Sequence, residues 1–389
     1  MSTPDPVASI QNNSPQFRLD YLDGLRGLSA LYVVIVHVCR TVADVVGVKA
    51  LPNIAQLIMI YGRDAVVIFI VLSGYCLMLP VVRSQDGRLK GGVVQYIKRR
   101  ARRILPPYYA ALILSLLITA FIAMNRPFTG FRLNLAQFDF SPGVLLSHIF
   151  MFHNLNPQWI YAIDGPMWSV ATEWQIYFLF PILLIIWRRF SLIPAVATAF
   201  IVGFAPHLLT QNGFLDAGPV PSFLALFALG MAAADIGFSQ KADRISWQTQ
   251  IPWKWLTIIA YVSSFILRLK DDWKYLLVSD VLTGVGTACL IIYCSYVLIK
   301  SNRTHYPPIL QLLKSRWAVL LGTFSYSLYL VHHPILHLLN LPLIGMQMSI
   351  SANILVLLLV GPPISILLAY IFYLFFERSF ASNFSQTGK

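Results

Sequence analysis

Charged side chains are scarce in this sequence, and their scarcity excludes a soluble globular protein. Only 12% of the 389 residues are Asp, Glu, Lys or Arg, whereas 57% are hydrophobic, and the mean hydropathy is +0.67. No polar stretch is long enough to form a separate soluble domain. The composition therefore predicts one membrane domain at residues 21–377, flanked by an N-terminal tail at 1–20 and a C-terminal tail at 378–389.

Cysteine and glutamate are sparse as well. The four cysteines lack the paired spacing of a disulfide framework or a zinc site, so we interpret them as buried small hydrophobic residues. The two glutamates of the chain are Glu173 and Glu377. The first 20 residues contain no apolar core of a cleavable signal peptide, so we expect the N-terminus to stay in the cytosol.

What the sequence does contain is a series of apolar runs. Ten are treated as membrane-crossing, which predicts an all-α integral membrane bundle of about ten helices with both termini cytosolic. This orientation puts 21 of the 29 Lys and Arg residues in cytosolic segments. That bias explains the net charge of +13 without a nucleic-acid partner, and the expected location is a plasma membrane or an endomembrane. The runs lie at 27–46, 64–82, 104–124, 166–187, 191–209, 219–236, 252–267, 278–299, 317–341 and 352–376.

Two ionisable residues stand out on the first predicted helix. Arg26 and His37 are eleven residues apart, which is about three helical turns, so both side chains share one face roughly 16 Å apart. A histidine inside a membrane is costly and suggests a functional site, although a neutral histidine bonded between helices is the structural alternative. Desolvation keeps the ring neutral, so His37 is a candidate general base.

A second set of polar residues lies on the fourth predicted helix. Ser169, Glu173 and Tyr177 recur at intervals of four and share one face, next to Trp168, which could equally be an interfacial anchor. A carboxylate at the depth of Glu173 needs a partner, which could be an imidazole such as that of His37, an arginine or a bound ligand. The structural alternative is an ion pair between packed helices.

A basic cluster precedes the third predicted helix. Five cations, at residues 98–103, repel one another unless an anion lies nearby. Arginine matches phosphate geometry with two parallel hydrogen bonds, so the cluster suggests a phosphate-bearing cosubstrate that enters from the cytosol. Contact with anionic lipid head groups is the alternative interpretation.

The ninth predicted helix carries three histidines. Ser325, Tyr329 and His332 share a face, so His332 is expected to line the same cavity, whereas His333 points elsewhere and is expected to pack. His333 and His337 have the i, i+4 spacing of zinc ligands, but the sequence shows no third ligand, so we predict no metal site.

These motifs, in this order, resemble the acyltransferase-3 family of integral membrane O-acyltransferases over nearly the whole chain. The resemblance rests on Arg26 with His37, on residues 69–74, on Arg99 and Arg103 before Pro106, on Trp168, Ser169, Glu173 and Tyr177, and on Ser325 to His332.

The resemblance implies transfer of an acyl group, often acetyl, from cytosolic acyl-CoA to a hydroxyl of a glycan, a lipid-linked or a small hydrophobic acceptor. No cofactor would be bound permanently. His37 would be the general base, Glu173 would orient or charge-stabilise it or the acceptor, and donor phosphates would bind to Arg26, Arg99, Arg100, Arg102 and Arg103. The substrate pocket would include Trp168, Ser169, Tyr177, Tyr329 and His332. Alternatives are a transporter or flippase of an anionic lipid or metabolite, and a non-catalytic membrane scaffold.

Overall fold

The computed structural model describes residues 19–124, 139–210, 220–239, 241–270, 273–300, 306–346 and 348–381. Most of both predicted tails therefore lies outside the described residues, and the domain boundaries stay a prediction. In the described part of the chain every regular element is helical. The prediction of an all-α fold is confirmed.

Sixteen α-helices, numbered in chain order over the described residues, make up the fold. They are α1 (Asp20–Val46), α2 (Asn53–Ile60), α3 (Gly62–Arg83), α4 (Gly92–Met124), α5 (Pro142–Ile149), α6 (Met167–Phe190), α7 (Leu192–Thr210), α8 (Phe223–Phe238), α9 (Ala242–Gln250), α10 (Trp253–Arg268), α11 (Trp273–Lys300), α12 (Pro308–Leu313), α13 (Arg316–Thr323), α14 (Ser325–Gly345), α15 (Ile350–Phe372) and α16 (Arg378–Ala381). A π-helical turn, Tyr373–Glu377, joins the last two.

The long helices identify a multi-pass integral membrane protein. Among the described residues, eight helical segments are long and apolar enough to cross a membrane, and each coincides with a predicted run. The other two predicted runs form α8 and α10, which have 16 residues each and reach only about 24 Å at 1.5 Å per residue. The count of ten spans and the cytosolic termini stay predictions.

Glycines bring α3 and α8 to backbone contact. A Cβ atom on Gly74 would lie 2.0 Å from the carbonyl oxygen of Phe227, and a Cβ on Gly230 would lie 1.9 Å from that of Val71. Helices in lipid associate largely through such close packing of small residues. Gly74 and Gly230 therefore serve helix packing. The same kind of approach joins α1 to α12 and α13 at Gly24, Gly27 and Gly322.

Buried ion pairs tie α3 to α10 and α11. Arg63 donates to Asp280 at 2.7 Å, Arg268 donates to the other oxygen of Asp280 at 2.8 Å, and Arg268 also pairs with Asp64. Charges inside a membrane are tolerated when they are paired in this way. This network fixes one wall of the site described next, because Arg63 faces that site.

Candidate active site

A cavity of about 110 Å³ lies between α1, α3, α4, α6 and α14, and we call it the arginine cavity. Three guanidinium groups line it, together with one carboxylate and several hydroxyls. Its polar lining residues are Arg26, Arg100, Arg103, Ser73, Ser169, Glu173, Tyr177, Ser325, Tyr326 and Tyr329. A positively charged recess of this kind suits an anionic ligand.

The structure separates the five predicted arginines into two groups. Arg26, Arg100 and Arg103 line the arginine cavity, the last two because they lie three residues apart on one face of α4. Arg99 and Arg102 do not line it, and Arg102 is exposed. Two arginines of the run thus face the cavity and two do not, a difference that the adjacent positions in the sequence do not reveal.

Arg26 is held in place by two neighbours. Its guanidinium donates to Sγ of Cys76 at 2.9 Å and to a carboxylate oxygen of Asp23 at 3.4 Å. Cys76 is on α3 and lines the same cavity. The orientation of Arg26 is therefore fixed by contacts within α1 and across to α3.

Glu173 lies in the arginine cavity and accepts hydrogen bonds from hydroxyl groups. Tyr177 Oη donates to its Oε1 atom at 2.5 Å, and Ser73 Oγ donates to the same atom. The predicted shared face is confirmed, because Ser169, Glu173 and Tyr177 all line this cavity. The structure does not bring Glu173 to His37, which lines a different cavity, so hydroxyls rather than imidazole are the partners of this carboxylate.

A second cavity, of about 220 Å³, adjoins the first, and we call it the histidine cavity. It contains imidazole, guanidinium, carboxylate and aromatic groups. Its polar and aromatic lining residues are His37, Arg40, Asp44, Arg63, Tyr161, Trp168, Tyr329 and His333. Trp168 and Ser169 are consecutive on α6, yet they line different cavities.

His37 presents one ring nitrogen to its own helix. Its Nδ1 atom lies 2.9 Å from the carbonyl oxygen of Val33. A carbonyl only accepts, so this contact puts the proton of the neutral ring on Nδ1 and leaves a lone pair on Nε2. The ring packs edge-on against His332 and His333, with centroids 4.8 Å and 5.3 Å away. His37 thus lies beside the histidine cavity with Nδ1 bonded to its own helix and its ring packed against two other imidazoles.

The prediction for His332 and His333 is wrong, because the structure places His333 rather than His332 at a cavity. His332 is fully buried behind His37, and its Nδ1 atom lies 2.8 Å from the carbonyl oxygen of Tyr329. His333, expected to pack, lines the histidine cavity instead. Neighbours on a helix point about 100° apart, so the rotation of α14 about its axis decides which of the two faces the cavity.

Tyr329 stands where the two cavities meet. Tyr329 and Val66 line both cavities, and the Tyr329 hydroxyl lies 2.6 Å from Oγ of Ser169. The hydroxyl also donates to the carbonyl oxygen of Pro166 at 3.3 Å. Tyr329 and Val66 therefore form part of the wall between the arginine cavity and the histidine cavity.

A short 3-10 helical turn, His153–Leu155, is hydrogen-bonded to α6 through side chains. Asn154 donates to Thr172 at 3.0 Å and Gln175 donates back to Asn154 at 2.8 Å. His153 is fully buried beside Asn154 and stacks on His148 with centroids 3.9 Å apart. Burial lowers the pKa of His153 well below its usual value, and the neighbouring His148 lowers it further.

Comparison with known proteins agrees with this geometry. The sequence profile of the acyltransferase-3 family, described as an acyltransferase domain, matches residues 19–374. The chain is also similar to O-acetyltransferase OatA of the Staphylococcus aureus strains NCTC 8325 / PS 47, COL and MRSA252, at 24% identity over 395 residues in each case. These alignments cover 97% of this chain and 59% of each relative, so the chain spans about three fifths of their length. No solved structure matches the chain.

Proposed function

The chain belongs to the acyltransferase-3 family, and from this premise we propose that it transfers an acetyl group from acetyl-CoA to a hydroxyl group. The acceptor is a glycan, a lipid-linked molecule or a small hydrophobic molecule. The relatives with 24% identity are named O-acetyltransferases, which supports acetyl as the transferred group. The single observation that carries the proposal is the pair of adjoining cavities, one with three arginines and the other with His37.

The arginine cavity is the proposed donor site. Its volume of about 110 Å³ is below the 300 Å³ or so at which sites for whole drug-sized ligands begin, so it would take only part of the donor, namely the thioester arm and the phosphates next to it. The adenosine would stay at the surface, where Arg103 is exposed. Guanidinium groups bind phosphates through paired hydrogen bonds, which supports a CoA thioester over a neutral donor.

The histidine cavity is the proposed acceptor site. Nε2 of His37 would take the proton of the acceptor hydroxyl as its oxygen attacks the thioester carbonyl carbon. A carbon–oxygen bond forms, the carbon–sulfur bond breaks, and CoA leaves as a thiolate that receives the proton. The same atoms also permit a route through an acyl-histidine, in which Nε2 attacks first.

Two further residues have proposed roles in this scheme. Tyr329 lies between the cavities, where its hydroxyl would stabilise the negative charge that develops on the carbonyl oxygen. Glu173 would hold Tyr177 and Ser73 in position and balance the charge of the arginines around the donor. Glu173 is thus assigned to the donor side, and His37 acts without a carboxylate from α6.

Binding of CoA tests the donor assignment without requiring an acceptor. Arg100→Gln should weaken binding of CoA to the purified chain by roughly 10- to 100-fold, because one charge-assisted hydrogen bond is lost. Arg102→Gln is the matched control from the same run and should bind CoA as the wild type does. Equal CoA affinities for wild type and Arg100→Gln would contradict the proposal that the arginine cavity binds the phosphates of CoA.

A further inference from the structure

Three metal-ligating side chains converge beside the histidine cavity. Asp44 comes from the end of α1, and His333 and His337 come from α14, one turn apart. One ligand atom from each residue can be chosen so that all three lie within 4.8 Å of one another. The sequence predicts no metal site because a third ligand is lacking, and the fold supplies it as Asp44.

The distances suit a small tetrahedral cation. Nε2 of His333 lies 3.2 Å from Nε2 of His337, and Oδ2 of Asp44 lies 3.7 Å from the latter atom. Two nitrogens bound to Zn²⁺ at 2.0–2.1 Å in a tetrahedron are about 3.3 Å apart. The two imidazoles therefore already have nearly the separation that a shared Zn²⁺ requires.

The surroundings of His333 also resemble those of a metal ligand. Its other ring nitrogen, Nδ1, lies 3.0 Å from Oδ1 of Asp164, a residue that is 1% exposed. Histidines that bind metals commonly have a carboxylate or a carbonyl next to the nitrogen that does not bind. A carboxylate there favours the proton on Nδ1, which leaves Nε2 of His333 available to a cation.

Two of the three residues face a space that a small ion can enter. Asp44 and His333 both line the histidine cavity, which has a volume of about 220 Å³. The site would leave room for water or another ligand in the fourth position, as in open zinc sites with three protein ligands. Nitrogen and oxygen donors of this kind suit Zn²⁺ rather than Ca²⁺ or Mg²⁺.

We propose that Asp44, His333 and His337 form a site for one Zn²⁺ ion at the edge of the histidine cavity. Binding requires only that the neutral ring of His337 carry its proton on Nδ1, since a neutral imidazole binds a cation through either nitrogen. The ion would fasten the end of α1 to the middle of α14. The inference does not depend on acetyl transfer, because its evidence is the arrangement of the three ligands.

Direct measurement of zinc affinity tests this inference. The purified protein in detergent is treated with EDTA, desalted and titrated with Zn²⁺ in competition with a chromogenic chelator. We expect wild type to bind a single Zn²⁺ ion. Asp164→Asn should weaken binding by roughly 10- to 100-fold, the usual cost of losing a partner of a metal-bound histidine. Asp44→Asn and His337→Gln remove a ligand and should weaken it further.

A control and a second readout keep the result decisive. His207→Gln, in α7, leaves all three ligands intact and should bind zinc with wild-type affinity. Absence of zinc binding to wild type, or wild-type affinity in both ligand variants, overturns the proposal. Should the ligand variants fail to fold, Co²⁺ added to wild type decides the question: visible absorption bands of tetrahedral cobalt support the site, and their absence overturns it.

Discussion

Replacing Gly230 with alanine should disturb both the stability and the activity of this protein. Gly230 lies on α8, and a Cβ atom there would be 1.9 Å from the carbonyl oxygen of Val71 on α3. Carbon atoms of this kind do not approach closer than 3.0 Å, so the two helices must separate by about 1 Å. Overpacking of this size costs roughly 1–3 kcal/mol in the free energy of unfolding.

The displacement should reach the active site through α3. Ser73 lies two residues from Val71 and donates to Glu173 in the arginine cavity. A misplacement of 1 Å can reduce a rate by about 100-fold, so we expect kcat to fall further than the loss of folded protein explains. Thermal unfolding in detergent and acyl-CoA consumption per folded molecule measure the two effects separately.

Gly237→Ala is the matched control, because it lies on the same helix and its Cβ would meet Ser295 at an ordinary 3.9 Å. The control should keep wild-type stability and activity. The double variant with Gly74→Ala should lose less stability than the sum of the single losses, because one separation of α3 and α8 relieves both clashes. Wild-type stability in Gly230→Ala would refute the packing argument.

Two further predictions concern the junction of the cavities and the segment beside α6. Tyr329→Phe keeps the ring but removes the hydroxyl, so kcat should fall by about 100- to 1,000-fold with little change in CoA affinity; unchanged kcat would exclude a role at the carbonyl oxygen. The lowered pKa of His153 means that, below about pH 6.5, the unfolded chain binds a proton that the folded chain does not. Stability should therefore fall as the pH drops below that value. Between pH 7.5 and pH 5, the unfolding temperature of His153→Gln should decrease less than that of wild type. Equal decreases in the two proteins would contradict this prediction.

Features within one helix could be predicted from the sequence, because helical geometry alone determines them. Ser169, Glu173 and Tyr177 share a cavity since they are four residues apart on α6. Arg26 and His37 line adjoining cavities because eleven residues return nearly to the same face of α1.

Features that depend on how helices meet could not be predicted. The hydrogen bond from Ser73 on α3 to Glu173 on α6 depends on how these helices meet. Asp44 reaches the histidines of α14 only through the fold. The choice between His332 and His333 as the cavity residue depends on the rotation of α14 about its axis, which spacing along the chain does not specify.

Acceptor-dependent release of free CoA thiol by purified protein is the measurement that tests the central claim most directly. Wild type, His37→Ala and His207→Gln would be compared in nanodiscs with acetyl-CoA and a panel of hydroxylated acceptors. We predict thiol release by wild type and His207→Gln, and its loss in His37→Ala although that variant still binds CoA. Undiminished thiol release by folded His37→Ala would contradict the assignment of His37 as the base, and a folded wild type that neither binds nor consumes acetyl-CoA would contradict the donor site itself.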